Sequence, residues 1–282
     1  MQLVKAEYPT PDHVLVHISD PHFVAEGLLY GETDPQVGLV EVLDSIEASG
    51  IGPEAIILSG DLTDKGSAEA YRKLRTLGDA YAKRMGTQII WAMGNHDERG
   101  NFQSVLLEEE PRPEPVDRRY DLGGLRVLVL DSSVPGHHHG GLTEDPPVPP
   151  VQDLAVLSEL RDQEALAQVL EGSDVIGILS GHTHCTVFST FARIPVSVAS
   201  ATSYTQDLAL PPAAMQGRDG ARSFNLVRIH NRTFVTAVVP VGAYAAFGKR
   251  ITAEEARRRL RSAVEIPERG SNQTGGALSG RR

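Results

Sequence analysis

Four short apolar runs in this chain each stop at side chains that can hold a cation. Residues 14–19 lead into Asp20-Pro21-His22, residues 55–59 into Gly60-Asp61-Leu62-Thr63-Asp64, residues 88–93 into Gly94-Asn95-His96-Asp97, and residues 175–180 into Gly181-His182-Thr183-His184. Runs of this length bounded by turn residues read as buried strands, and strand carboxyl ends are where open α/β sheets build their sites. Helical patterns lie between them. Asp34-Pro35 makes an N-cap and first-turn pair, Val37, Leu39, Val40, Leu43 and Ile46 form an amphipathic stripe, and the helix ends near Gly50. Ser67 opens a second helix that runs to Met85 and is closed by Gly86. The alternation predicts βαβ units.

Further along, residues 126–130 read as a strand ending at Asp131, and residues 154–170 as one helix with Ala165, Leu166, Val169 and Leu170 at core spacing. From Thr186 the chain turns β-rich, with runs at 187–191, 196–199, 223–229 and 233–241, which predicts a second sheet packed on the first. Residues 252–264 form a basic helix whose Arg257, Arg258 and Arg259 read as a solvated face. The candidate ligands run from Asp20 to His184 and must converge, so residues 1–266 are expected to be one domain; the Gly/Ser/Asn-rich residues 267–282 are expected to be a disordered tail.

Composition narrows the partners. With 282 residues, 40% of them hydrophobic, the chain can bury a large core, and a net charge of -10 argues against general affinity for a nucleic acid backbone. The single Cys185 rules out an internal disulfide and fits a reducing compartment. No apolar run reaches the ~18 residues of a membrane span, and no basic-then-apolar leader opens the chain. These features predict a cytoplasmic protein.

Carboxylate, imidazole and amide oxygen together suit borderline ions such as Mn, Fe, Zn or Co, whereas a Mg or Ca cage would use oxygen throughout. Two such ions about 3.5–4 Å apart can activate a bridging hydroxide and neutralise phosphoryl oxygens. That is phosphoester-hydrolysing chemistry.

The ordered set Asp20-x-His22, Gly60-Asp61, Gly94-Asn95-His96-Asp97 and Gly181-His182-Thr183-His184 resembles the calcineurin-like metallophosphoesterase superfamily over residues 13 to about 190. Residues 134–140, 159–163 and 194–202 are similar to bacterial class III cyclic nucleotide phosphodiesterases. The resemblance implies an α/β fold of two packed mixed sheets flanked by helices. It implies Asp20, His22 and His184 as ligands of a first metal, Asn95 and His182 as ligands of a second, and Asp61 as the bridge. His96 would face the phosphate beside Asn95 and assist the leaving oxygen, with Asp97 orienting its ring, and His139 would contact substrate. The implied reaction is hydrolysis of 3',5'-cyclic nucleotides such as cAMP through a metal-bridging hydroxide, and the implied oligomer is a homodimer.

The chain departs from the family between its His-rich turn and residue 159. Relatives carry a strand there that ends in His-His-Pro-Pro, whose first His binds the second metal. Here Glu144-Asp145-Pro146-Pro147 stands in that place, and the stretch from Asp131 is too short for the dozen or more residues of a parallel crossover. One central strand-helix unit is therefore expected to be missing, leaving a gap in one sheet or forcing its neighbours to pair. Glu144 could substitute as an oxygen ligand, but ordering a loose Pro-rich loop costs entropy that a strand-end ligand avoids. A weakened second site follows. His137, His138 and His139 read either as substrate contacts or as a polar loop, and any of them could supply the missing ligand. A broad-specificity phosphoesterase and a non-catalytic metal-binding descendant remain the alternatives. Cys185 reads as a core residue, and Trp91 as packing within its strand; Tyr204 could stack on a purine.

Overall fold

In this computed structural model, residues 4–134, 149–158, 162–211 and 213–265 are described. Ten strands of three or more residues follow chain order: β1 His13–Ser19, β2 Ala55–Ser59, β3 Gln88–Trp91, β4 Arg118–Leu122, β5 Leu125–Val129, β6 Ile178–Ser180, β7 Val187–Phe191, β8 Ile194–Val198, β9 Ser223–His230 and β10 Thr233–Pro240. The main helices are α1 Pro35–Ser49, α2 Ala68–Met85, α3 Gln163–Leu170 and α4 Ala253–Ala263.

A five-stranded sheet in the order β10-β9-β1-β2-β3 carries the fold. Strands β1, β2 and β3 run parallel, joined through α1 and α2, while β9 pairs antiparallel with β1 and β10 with β9. The period of two decides what each face meets. Val16, Ile18, Ile56, Leu58 and Trp91 point to one face and pack with Leu39, Leu43 and Ile46 of α1 and Tyr71 and Leu74 of α2. Leu15, Ala55, Ile57, Ile90, Val227 and Ile229 point to the other and pack with Leu122 and Val129. Trp91 is thus core, as its place in the run predicts.

The helix ends match the sequence expectation. Asp34 accepts a bond from the Gln36 N–H and Gly50 closes α1 at φ 66°; Ser67 accepts from the Ala70 N–H and Gly86 closes α2 at φ 64°. Only glycine takes that closing conformation without a Cβ clash.

The second layer differs from expectation in two places. Strand β5 is one arm of a hairpin with β4, turned at Gly123 and Gly124, both at positive φ. The Gly-Gly pair between apolar alternations is the sequence signal that identifies such a turn. Instead of one helix over 154–170, a 3-10 turn at Asp153–Ser158 precedes the eight-residue α3. No residue of α3 is buried, and Val169 is 75% exposed. Helical spacing records which side chains share a face; a core also needs a layer opposite that face. Among the described residues the β4–β5 hairpin and the three-stranded sheet β6-β8-β7 form no common ladder, and the stretch in which a strand-helix unit is expected to be missing lies largely outside those residues. Residues 137–139, Glu144, Asp145 and the 267–282 tail lie outside the described residues.

Toward the strand tips the inter-sheet face turns polar. His17 is completely buried, its Nε2 is 2.7 Å from the Ser59 hydroxyl, and its cross-strand partner is Asn225. Burial pulls the imidazole from its ordinary 6.5 to about 4, partly opposed by Asp20, so it folds neutral. A group whose folded pKa is depressed stabilises the fold above its unfolded value, and that contribution is lost as pH falls between about 6.5 and about 4. Replacing His17 by Gln is expected to flatten the fall in urea-unfolding stability across that window by up to about 1.4 kcal/mol per pH unit. An unchanged acid limb would refute it.

Candidate metal centre

The tips of β1 and β2, and the turn after β6, bring Asp20, His22, Asp61 and His184 together at the mouth of the inter-sheet space. All four are buried, and one ligand atom from each lies within 4.8 Å of the others. His22 Nε2 is 3.0 Å from His184 Nε2 and 3.4 Å from Asp61 Oδ2. Four turn residues adopt left-handed backbone to achieve this: Asp20 (φ 49°), His22 (47°), His182 (74°) and His184 (52°). Left-handed φ is uncommon outside glycine, and such strain gathers at functional sites.

The hydrogen bonds around the cluster fix which atoms face inward. His184 Nδ1 is 3.0 Å from the Tyr204 carbonyl, which can only accept, so Nδ1 carries the proton and Nε2 presents a lone pair. Burial, partly offset by the Asp20 carboxylate, holds that ring at about 4 and therefore neutral. Asp20 accepts from the Ser19 hydroxyl (2.5 Å), the Asp61 N–H (3.0 Å) and the His182 N–H (2.8 Å). Burial alone would raise its pKa, but the two imidazoles and these donors keep the carboxyl below its usual range. Asp64 Oδ1 stands 3.7 Å from His22 Nδ1, too far for a hydrogen bond, and that buried nitrogen has no hydrogen-bond partner among the described residues. Two carboxylates and two imidazoles aimed at one point suit a divalent cation, which would satisfy lone pairs that otherwise crowd one another.

Three glycines keep the space open. A Cβ on Gly60 would collide with Asp20 Oδ1, one on Gly94 with Asp61 Oδ1, and one on Gly181 with Ser19 Oγ while standing 2.7 Å from Asp20 Oδ2. Each of the three later motifs begins with a residue that must lack a side chain.

The remaining expected site residues are placed differently. His96 is half-buried, with its N–H on Asp61 Oδ1 (2.9 Å), Nδ1 2.9 Å from the Asp64 carbonyl, and Nε2 3.9 Å from Asp61 Oδ2. With His22 and Asp64 it forms a second, overlapping group. Asn95 is half-buried on the same turn, and the His182 ring stands outside both His/Asp groups. Asp97 does not orient the His96 ring as the sequence suggested. Its carboxylate accepts from the N–H groups of Leu62, Thr63 and Gly94 and the hydroxyls of Thr63 and Tyr71. Five donors on one carboxylate tie the turn after β3 to the loop after β2. Burial and the nearby Asp61 charge push Asp97 up to about 6. The ring is instead steered by the Asp64 carbonyl, a main-chain role that no side-chain pattern announces.

The Calcineurin-like phosphoesterase family model matches residues 13–186. A probable cyclic nucleotide phosphodiesterase of Rhodococcus erythropolis is 49% identical, covering 93% of this chain and 95% of that protein. A cAMP/cGMP dual specificity phosphodiesterase of Mycobacterium tuberculosis is 45% identical over 92% of this chain and 89% of that protein. A glycerophosphodiester phosphodiesterase of Enterobacter lignolyticus is 31% identical over 47% of this chain and 48% of that protein.

Gly181 offers a clean test of the open space, because its φ is not in the positive range. Gly181→Ala is expected to weaken Mn binding, read by calorimetry, by about 10–100-fold, as supporting-shell changes do, with the far-ultraviolet dichroism unchanged. Unaltered Mn affinity would show that the cluster does not need this space.

Proposed function

We propose, from the premise that this chain belongs to the calcineurin-like phosphoesterase family, that it is a metal-dependent phosphodiesterase hydrolysing 3',5'-cyclic nucleotides such as cAMP. The observation that carries this reading is the buried Asp20-His22-Asp61-His184 cluster, on a chain 45–49% identical along most of its length to relatives named cyclic nucleotide phosphodiesterases. The mixed nitrogen and oxygen set supports Mn, Fe, Zn or Co as the ion. Bound there, divalent ions supply Lewis acidity and an acidified water.

In this reading each residue has one task. Asp20, His22 and His184 would hold a first ion, Asn95 and His182 a second, and Asp61 would serve both. His96 holds its Nδ1–H on the Asp64 carbonyl, which leaves Nε2 facing the space beside Asp61; a second proton, carried on Nε2, would pass from there to the departing ester oxygen. Asp97 acts by holding the turn that carries Asn95 and His96, not by touching substrate. The spread of these residues along one fold supports reading residues 1–266 as one domain, and the lone, buried Cys185 suits a cytoplasmic setting. Among the described residues no helix is long and apolar enough to cross a membrane.

The Mn-loaded protein is expected to convert cAMP to 5'-AMP. His96→Ala is expected to lower kcat by about 10²–10⁴-fold, the usual worth of a positioned acid or base, with Mn stoichiometry unaltered. Absence of cAMP turnover alongside efficient cleavage of bis(p-nitrophenyl) phosphate would move the assignment to a phosphoesterase of broad specificity.

A further inference from the structure

Beside the metal cluster runs a groove of about 670 Å³ whose lining includes Phe23, Val24, Leu28, Tyr30, Asp64 and Lys65. Its volume lies within the range that accepts a small organic ligand. The groove is continuous with the cluster, since Asp64 lines it and also lies 3.7 Å from His22 Nδ1.

Tyr30 is the unusual member. It sits at φ 54° at the tip of a tight turn, closed by Leu29 and Thr33 through the Leu29 N–H to Thr33 carbonyl (2.8 Å) and the Thr33 N–H to Leu29 carbonyl (3.2 Å) bonds. Leu29 is buried and anchors the turn, while Tyr30 remains 63% exposed. An exposed aromatic in left-handed backbone is neither a packing solution nor a turn preference. Its ring meets Tyr204 edge-on at 5.7 Å, and Tyr204 lies 4.3 Å from the His184 ring. A continuous aromatic wall therefore leads from a candidate ligand to the groove.

Charge decides which end of a substrate enters. Asp64, Glu26 and Glu69 line the groove with Lys65 as its only cationic neighbour among the lining residues. Glu69 is paired with Arg72 (2.5 Å), so the carboxylates left to repel a phosphate toward the cation-binding end are Asp64 and Glu26. They also offer acceptors to the exocyclic amine of a purine.

We infer that this groove is the nucleobase subsite and that Tyr30 is its specificity-determining residue, stacking on the base of a nucleotide whose phosphate lies at the metal cluster. This rests on the nucleotide reading above and adds to it where the base goes. Aromatic stacking is sequence-tolerant because every base has a π-face, so Tyr30 selects phosphoesters that carry a base over those that do not, and accepts adenine and guanine alike.

Calorimetric titration of the full-length Mn-loaded protein with 5'-AMP and with ribose 5-phosphate isolates the base. The native protein is expected to bind 5'-AMP at least ~10-fold more tightly, in line with one base-aromatic stack. Tyr30→Ala is expected to erase that ratio while leaving ribose 5-phosphate binding within about two-fold; Tyr30→Phe is expected to keep it, because the ring and not the hydroxyl stacks. The inference is overturned by a native protein with no preference for 5'-AMP, by a preference that survives Tyr30→Ala, or by loss of ribose 5-phosphate binding in that variant, which would make Tyr30 a scaffold of the metal cluster. A base preference that depends on Tyr30 in a protein unable to hydrolyse cAMP would uphold this subsite and defeat only the catalytic reading.

Discussion

The constraint on which this structure depends is the burial of two carboxylates and two imidazoles at one point, Asp20 and Asp61 against His22 and His184. Buried ionisable groups are costly unless paired and hydrogen-bonded, and here the main chain is bent to left-handed φ at three of the four positions to bring them together. Everything nearby serves that convergence. Ser19 and the Asp61 and His182 N–H groups hold Asp20, the Tyr204 carbonyl fixes the tautomer of His184, and Gly60, Gly94 and Gly181 leave the room that side chains would fill.

Rigidity comes from the sheet behind the cluster. Parallel β1, β2 and β3 end level with one another, so residues far apart in sequence meet at their tips. Asp97 then welds the third tip to the second by collecting five donors, and the Ser203 hydroxyl binds the Asp20 carbonyl at 2.7 Å from the opposite side. The second layer is less continuous, with its hairpin and three-stranded sheet unconnected among the described residues.

Much of this was legible in the chain. The strand-end positions of Asp20, His22, Asp61 and His184, the caps at Asp34, Gly50, Ser67 and Gly86, and the core place of Trp91 all follow from local pattern, because local sequence determines them. Features that depend on what lies opposite were not legible. The stripe on α3 has the spacing of a core face but none of its residues is buried and no covering layer meets it among the described residues, and the β4–β5 hairpin was half seen because the alternation in β4 carries Arg118, Arg119 and Asp121. Asp97 looked like a partner for the adjacent His96, whereas four of its five donors come from residues 26 to 35 positions earlier and the fifth is the Gly94 N–H of its own turn. Tyr30 carries no motif at all; only its backbone angle and exposure beside the groove single it out.

The central claim is that these four side chains share a cation. An anomalous-difference map from crystals grown with Mn tests it most directly. A strong peak is expected about 2 Å from Asp20, His22, Asp61 and His184 ligand atoms. A map with no peak inside this cluster, or with Mn bound only elsewhere on the surface, would contradict it.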